Sequence, residues 1–205
     1  KPMIFYTNNT ERMRIGSSGN VTVTGSLFLT GSRIDFVDGK NNTSVGFEAG
    51  KDITTAQRST LLGDQAGTNI TTANDNTAIG YNAMHGNDST ATTGTGRNTA
   101  IGSSALASIT TGQQNVAIGT SAGSNSSNTS NTVLIGHNAG LSINSSDADG
   151  TVVIGSLAGQ SITSGQYSTF VGYQAGYSSD TNDGNTFIGY LAGFEADAST
   201  TAANQ

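Results

Sequence analysis

The sequence contains no cysteine and no tryptophan, and its single proline is Pro2. Without cysteine there can be no disulfide framework, and cysteine usage does not indicate whether the protein works in an oxidising or a reducing compartment. Only 11% of the residues are charged, against about 25% in an average domain. No apolar run is long enough to span a bilayer as a helix, so the sequence predicts no direct membrane insertion.

Basic residues are missing from the second half of the chain. All eight lysines and arginines lie at or before Arg97, where eight acidic residues balance them. The formal net charge of −6 therefore belongs to the residues after Arg97. Because nucleic-acid binding needs a basic footprint, the sequence argues against nucleic acid as a partner.

The chain repeats a short string at a nearly fixed period. In each copy an aliphatic residue is followed by a glycine, which serves here as the anchor of the repeat. The steps between anchors are 17, 17, 22, 17, 17, 19, 17 and 17 residues. Such a period marks a stacked repeat architecture. The nine anchors are Gly46, Gly63, Gly80, Gly102, Gly119, Gly136, Gly155, Gly172 and Gly189.

Each copy carries the pattern of a short β-strand. The residue three before the anchor is always β-branched, as in Val116, and β-branched residues favour strands. The residue before the anchor, such as Ile118, is always aliphatic, and the residue between them, such as Ala117, is mostly apolar. A strand that is apolar on both faces is expected to be buried on both faces. One face of the strand would pack inside the coil. The other face would need a partner, and a second copy of the chain is the expected one.

We use column for the set of equivalent positions in successive copies of the repeat, and three further columns complete it. An invariant anchor glycine predicts a positive φ or a close backbone approach. The residue three after the anchor is always alanine, which predicts a narrow interior; Ala122 and Ile118 are both assigned to it. A column of isoleucines seven after the anchor predicts a second short inward strand (Ile53, Ile70, Ile109, Ile143 and Ile162). The fold class is therefore all-β, a parallel β-roll or β-solenoid of about nine 17-residue coils.

Residues 1–40 differ from the repeats. A strand at Arg12–Ile15, a glycine-rich turn and a strand from Val21 are predicted, with further strands at Ser26–Thr30 and Arg33–Val37. The string from Arg12 to Val21 resembles the shaft-end segment of phage tail fibres and related trimeric fibre proteins. That resemblance implies a short β segment in which the strands of three chains interleave.

Residues 41–194 resemble the YadA-like head repeats of trimeric autotransporter adhesins. The resemblance rests on Ala78-Ile79-Gly80 and its equivalents, each followed at the third residue by alanine. It implies a parallel β-roll that assembles as a homotrimer. The period is longer than is usual in that family, and no neck or heptad stalk follows, so a bacterial cell-surface appendage and a phage tail fibre both stay open. Either setting is extracellular. Residues 195–205 read as a polar tail or cap.

The sequence contains no complete catalytic or metal-binding pattern. His85 and His137 are the only histidines, no Ser-His-acid spacing occurs, and no matched pair of acidic residues falls on adjacent coils. The pairs Asp147/Asp149 and Asp180/Asp183 could bind Ca²⁺, but they fit no complete calcium loop, so Asx-turns are the preferred interpretation. The sequence predicts no enzyme activity, no cofactor and no metal.

Four aromatic residues form the candidate ligand-binding site. Tyr173 and Tyr190 directly follow the anchors of neighbouring coils, and Tyr177 and Phe194 stand four residues beyond them. Exposed rings beside polar residues suit a neutral sugar, although packing at the end of the trimer explains the pattern equally well. The insertions at Thr90–Gly96 and Asp147–Gly150 are the alternative binding loops.

The function predicted from these observations is attachment. The chain would be part of a trimeric fibre-tip adhesin that binds a cell-surface receptor, with a neutral glycan as the preferred ligand. A purely structural fibre spacer is the first alternative. A tailspike-like polysaccharide-processing enzyme is the second, and the absence of a matched acidic pair argues against it.

Overall fold

The computed structural model describes residues 2–18, 21–23, 40–86, 96–144, 146–178 and 183–195. The chain divides into two compact units, Lys1–Asp35 and Phe36–Gln205. The strands predicted at 26–30 and 33–37 and the polar tail beyond 195 lie outside the described residues. Among the residues that are described, the only helical element is a 3-10 helix at Ser146–Ala148.

The first unit contains a three-stranded antiparallel sheet. Its strands are β1 (Met3–Thr7), β2 (Thr10–Ile15) and β3 (Val21–Val23), in that order across the sheet. Asn8 and Asn9 join β1 to β2 with φ angles of 50° and 57°, the left-handed conformation that tight hairpins favour and asparagine tolerates. The strands predicted on either side of the glycine-rich turn are thus confirmed, and within the chain they pair with each other.

One face of this sheet is apolar between Met3 and Phe5 and along the residues that pair with them. Directly opposed pairs place six apolar side chains on it, and none of them is fully buried. A small sheet gains stability when such a face packs against something. The six residues are Met3, Phe5, Met13, Ile15, Val21 and Val23.

The second unit is a parallel β-solenoid. Nine three-residue strands pair in sequence order in one parallel sheet, and each repeat column is in register from strand to strand. The predicted solenoid with 17-residue coils is confirmed; the nine strands enclose eight complete turns, where nine coils were expected. The strands are β4 (Thr43–Val45), β5 (Thr60–Leu62), β6 (Thr77–Ile79), β7 (Thr99–Ile101), β8 (Val116–Ile118), β9 (Val133–Ile135), β10 (Val152–Ile154), β11 (Thr169–Val171) and β12 (Thr186–Ile188).

The middle residue of each strand points into the solenoid. From β5 to β11 this residue is fully buried, as at Ala117, whereas Ile118 beside it is 37% exposed. The assignment of Ile118 to the interior was therefore wrong, because a strand that is apolar on both faces does not reveal which face is inward. Ala122 and its equivalents from Ala66 to Ala175 are fully buried, as predicted.

The isoleucine column is inward but does not form a second strand. Ile109 and Ile143 are fully buried, yet they lie between turns rather than in a strand. On this side, single carbonyl groups accept several bonds from the previous coil. The N–H groups of Thr54, Thr55 and Ala56, for example, all donate to the Thr71 carbonyl at 3.0–3.1 Å. In the described part of the chain, each coil therefore has one strand and a turn-rich return.

Side-chain sizes compensate between columns inside the solenoid. Four residues after the anchor, the backbone has a positive φ in every copy, and glycine occupies seven of the nine positions. A side-chain carbon at Gly67 would lie 2.7 Å from the Leu61 side chain, and one at Gly176 would lie 2.8 Å from the Phe170 ring. Met84 and Leu106 replace this glycine in two of the three coils where the strand residue is alanine; the third, with Ala117, keeps Gly123, where a side-chain carbon would lie 2.6 Å from the Leu134 side chain of the next coil. Met84 and Leu106 fill the space that the small residue leaves.

A buried polar ladder runs along the start of the strands. Its residues stand four before each anchor, are at most 8% exposed, and bond from coil to coil. The Asn115 Oδ1 atom accepts from the N–H and hydroxyl of Thr132 at 3.0 and 2.7 Å, and Asn115 Nδ2 donates to the Thr129 carbonyl at 2.7 Å. We call this column the asparagine ladder. Its members are Asn42, Ser59, Asn76, Asn98, Asn115, Thr132, Thr151, Ser168 and Asn185.

Candidate functional site

The structure stacks the four predicted aromatic residues in two pairs. The rings of Tyr173 and Tyr190 are parallel within 11°, with centroids 5.7 Å apart. Those of Tyr177 and Phe194 lie within 20° at 5.0 Å. A third pair, Phe170 on Phe187, stacks from inside the solenoid at 5.3 Å.

The register of the last two coils fixes these stacks. β11 and β12 pair directly, so equivalent residues of the two coils face each other. Beyond the strands, the N–H of Leu191 donates to the Tyr173 carbonyl at 3.0 Å, and the N–H of Ser178 donates to the Phe194 carbonyl at 3.1 Å. The rings are therefore held by a hydrogen-bonded backbone rather than by a free loop.

The two pairs differ in their exposure. Tyr173 is 44% and Tyr190 is 74% exposed, whereas Tyr177 and Phe194 are half-buried. Tyr173 covers one face of the Tyr190 ring, and most of the remaining ring surface reaches solvent. Such a pair offers a flat apolar surface with hydroxyl groups at its edge, which suits a ligand that is itself partly apolar and partly polar.

The acidic turns bond to the backbone of the neighbouring coil. Asp149 Oδ1 accepts from the N–H of Ser130 at 2.7 Å, and Asp183 Oδ1 accepts from the N–H of Gln166 at 2.8 Å. The side chain of Asp147 and all of Asp180 lie outside the described residues. In the part of the chain that the structure describes, no three histidine, cysteine or acidic residues come close enough to hold a metal ion.

The two histidines occupy the same repeat columns as the aromatic pairs but belong to earlier coils. His85 Nδ1 lies 2.9 Å from the Gly86 carbonyl oxygen and is half-buried, whereas His137 is exposed. Of the two insertions, residues 87–95 are outside the described part. The second contains the 3-10 helix, and its Ala148 is fully buried, so the insertion is anchored in the core.

Sequence reasoning missed one exposed aromatic residue, Tyr167. It stands five before the anchor Gly172, in a column otherwise made of Asn, Arg, Asp, Gln and Gly. Its ring is 71% exposed and lies beside the second insertion. The signal that could have found it is its identity as the only aromatic residue in that column.

The outer face of the solenoid sheet carries an aliphatic column beside a column of threonine and valine, and it is partly exposed. We use outer face for the side of β4–β12 that carries the β-branched residues three before the anchor and the aliphatic residues directly before it. Its exposed fraction reaches 69% at Ile188 in the last strand. No residue of either column is fully buried, so the chain alone does not cover this face. The burial expected for these columns is absent from the single chain.

Ion pairs occur in the first coils. Arg58 donates to both carboxylate oxygens of Asp75 in the next coil, at 2.6 and 3.0 Å. These hydrogen bonds hold the pKa of Asp75 below its usual value. The pair therefore contributes stability above the ordinary carboxyl pKa and loses it as the pH falls through the lowered pKa. Because both groups are exposed, that contribution is small.

Comparison with known proteins does not assign a family to this chain. No helix in the described residues is both long enough and apolar enough to cross a membrane. Comparison of the chain with family models, with curated proteins and with solved structures found no match.

Proposed function

We propose that the chain is part of an extracellular homotrimeric fibre that attaches to a cell surface through neutral glycans. The fibre would belong to a bacterial appendage or a phage tail. The observation that carries the proposal is the outer face, which presents an aliphatic residue on each of nine strands and is not fully buried in one chain. Soluble proteins rarely leave so long an apolar surface without a partner.

A second copy of the chain is the partner that fits this face. Two copies in parallel share the same repeat, so every coil would meet an equivalent coil along the whole solenoid. A partner without that period would match only a few coils. The number three comes from the resemblance to YadA-like heads and trimeric fibre proteins.

The glycan part of the proposal rests on the pair Tyr173 and Tyr190. A sugar ring has an apolar side that stacks on an aromatic face, and hydroxyls that bond to polar neighbours. No lysine or arginine follows Arg97, so the distal coils have no cation to attract an anionic polysaccharide. Three copies of a weak site on one fibre would gain avidity without new contacts.

Light scattering on the purified chain tests the assembly. The expected mass is three times 20.7 kDa. A folded and monodisperse monomer would overturn the trimer and, with it, the fibre.

The double variant Tyr173→Ala/Tyr190→Ala tests the site. It is expected to lose binding on a glycan array while keeping its mass and melting temperature. The matched control is Phe47→Ala/Tyr81→Ala, because both residues are exposed and follow anchors in the same column but lie in early coils. If the site variant loses its oligomeric state, the rings are structural. If it binds as well as the control, the chain is a spacer or binds elsewhere.

A further inference from the structure

Tyr167 combines a left-handed backbone conformation with an exposed aromatic ring. Its φ angle is 53°, in the left-handed region, where a bulky aromatic residue is an outlier. Its ring is 71% exposed, so burial of the ring does not offset the backbone strain. The same column has a positive φ in every coil, and its other members are asparagine, glycine, arginine, aspartate and glutamine. The fold therefore imposes this φ on the whole column, and Tyr167 is distinguished by placing an exposed aromatic ring where the other coils have polar residues or glycine.

The residues equivalent to Tyr167 in the previous coil and in the next coil are both glycine. A side-chain carbon at Gly150 would lie 2.9 Å from Tyr167 Cδ1 and 3.2 Å from Cε1, so the ring lies across the Gly150 backbone. In the following coil the equivalent residue is Gly184, which has no side chain to cover the ring. The result is a flat ring that is supported on one side and accessible on the other.

Hydrogen-bonding groups lie on both sides of this ring. The neighbouring column contains Asp149, Gln166 and Asp183 in three successive coils. The N–H of Tyr167 donates to the Asp149 carbonyl at 3.3 Å, and the Asp183 carboxylate accepts from Gln166 N–H at 2.8 Å. Each carboxylate has two oxygens and several acceptor sites, so one backbone bond does not exhaust it. Two coils span roughly 10 Å, which is comparable to a short oligosaccharide.

We propose that Tyr167, Asp149 and Asp183 form a second saccharide subsite, distinct from the Tyr173–Tyr190 pair. The apolar side of a neutral sugar would stack on the accessible face of Tyr167, and its hydroxyls would donate to the two carboxylates. The absence of lysine and arginine from this half of the chain favours a neutral sugar over an anionic one. This subsite rests on the proposed attachment function and extends it to the second insertion.

The variant Tyr167→Asn tests the subsite with little risk to the fold. Asparagine occupies the same column at Asn41 and Asn131 with φ of 60° and 59°, so it removes the ring and suits the backbone. The readout is retardation of the purified chain in native gels that contain dextran, mannan or galactan. The expected result is a loss of about tenfold in affinity for the polysaccharide that retards the wild type, as stacking energies of aromatic rings imply.

Two further variants act as controls. Tyr167→Trp keeps an aromatic face and is expected to keep binding. Tyr81→Asn removes an exposed tyrosine elsewhere in the solenoid and is expected to bind as the wild type does. Light scattering and melting temperature should be unchanged for Tyr167→Asn.

The outcomes separate this subsite from the proposed function. If Tyr167→Asn binds normally while Tyr173→Ala/Tyr190→Ala does not, the subsite is overturned and attachment through neutral glycans stands. If Tyr167→Asn loses mass or melting temperature together with binding, the ring is structural and the subsite is overturned. If no polysaccharide retards the wild type, neutral-glycan attachment fails and the subsite fails with it.

Discussion

At the scale of single residues, the anchor glycine meets two separate requirements. Its φ lies between 126° and 139° in all nine copies, a region that side chains avoid. In addition, a side-chain carbon at eight of the anchors would lie only 2.2–2.7 Å from the nearest backbone atom of the next anchor. The invariance of the glycine predicted one of these constraints, and the structure shows that both apply.

The two requirements can be separated by comparing Gly119→Ala with Gly189→Ala. At Gly119 the new carbon would lie 2.6 Å from the Gly136 carbonyl oxygen, whereas at Gly189 it would meet nothing within 4 Å. The φ angles are nearly equal, 131° and 126°. Gly189→Ala should therefore cost about 1–3 kcal/mol from backbone strain alone. Gly119→Ala should cost a further ~1–3 kcal/mol from overpacking.

Denaturant unfolding monitored by circular dichroism gives the two free energies of unfolding. Equal losses for the two variants would mean that adjacent coils can separate enough to admit a methyl group. The close backbone approach would then not explain the invariance of the anchor.

At the scale of the strand and its ladder, the sequence pattern did not predict which residues of the strand point inward. A three-residue strand that is apolar on both faces contains no alternation from which to choose the inward residue. The choice depends on volume shared with other columns, as where Met84 fills the space beside Ala78. That complementarity is visible only after the coil is closed. The asparagine ladder was missed for a similar reason, since polar residues next to a strand are also typical of turns.

The variant Asn115→Ala tests the asparagine ladder. It leaves the buried N–H and hydroxyl of Thr132 and the Thr129 carbonyl without the partners that Asn115 provides. Loss of stability by about 3 kcal/mol is expected, because each buried polar group without a partner costs roughly 1–3 kcal/mol. The measurement is the free energy of unfolding in urea.

Asn115→Thr is the matched control for this change. The ladder already contains hydroxyl residues, and the Ser59 and Ser168 hydroxyls each accept from the N–H of the next coil at 3.2 Å. A threonine at 115 can therefore still serve Thr132 and should cost clearly less than alanine. Equal costs for the two variants would show that the ladder contributes packing rather than hydrogen bonds.

At the scale of the whole molecule, the period of the sequence was sufficient to predict the solenoid. A 17-residue step brings equivalent residues together, and so it placed Tyr173 and Tyr190 in one column of neighbouring coils, where the structure stacks their rings. It could not predict Tyr167, because an aromatic residue that occurs once in a variable column leaves no periodic signal. Nor does the pattern of one chain decide what covers its outer face, since that depends on free energies between chains.

Adjacent residues on opposite sides of β8 test what covers the outer face. Ala117 is fully buried inside the coil, and Ile118 is partly exposed on the outer face. Ala117→Asp should abolish folding, because an unpaired buried charge is strongly destabilising. Ile118→Asp should cost little within one chain, where it resembles a surface substitution. In a trimer that covers this face, however, it would place three charges in an apolar interface.

The expected result for Ile118→Asp is therefore a chain that keeps its β-sheet circular dichroism but has a mass near 20.7 kDa by light scattering. Ile118→Val is the control, since valine already stands at the equivalent positions Val45 and Val171 and keeps the face apolar. If Ile118→Asp retains the full oligomeric mass of the wild type, the outer face is not where the chains meet. The trimer would then have to form through another surface, and the six apolar residues on the sheet of the first unit would be the next to test.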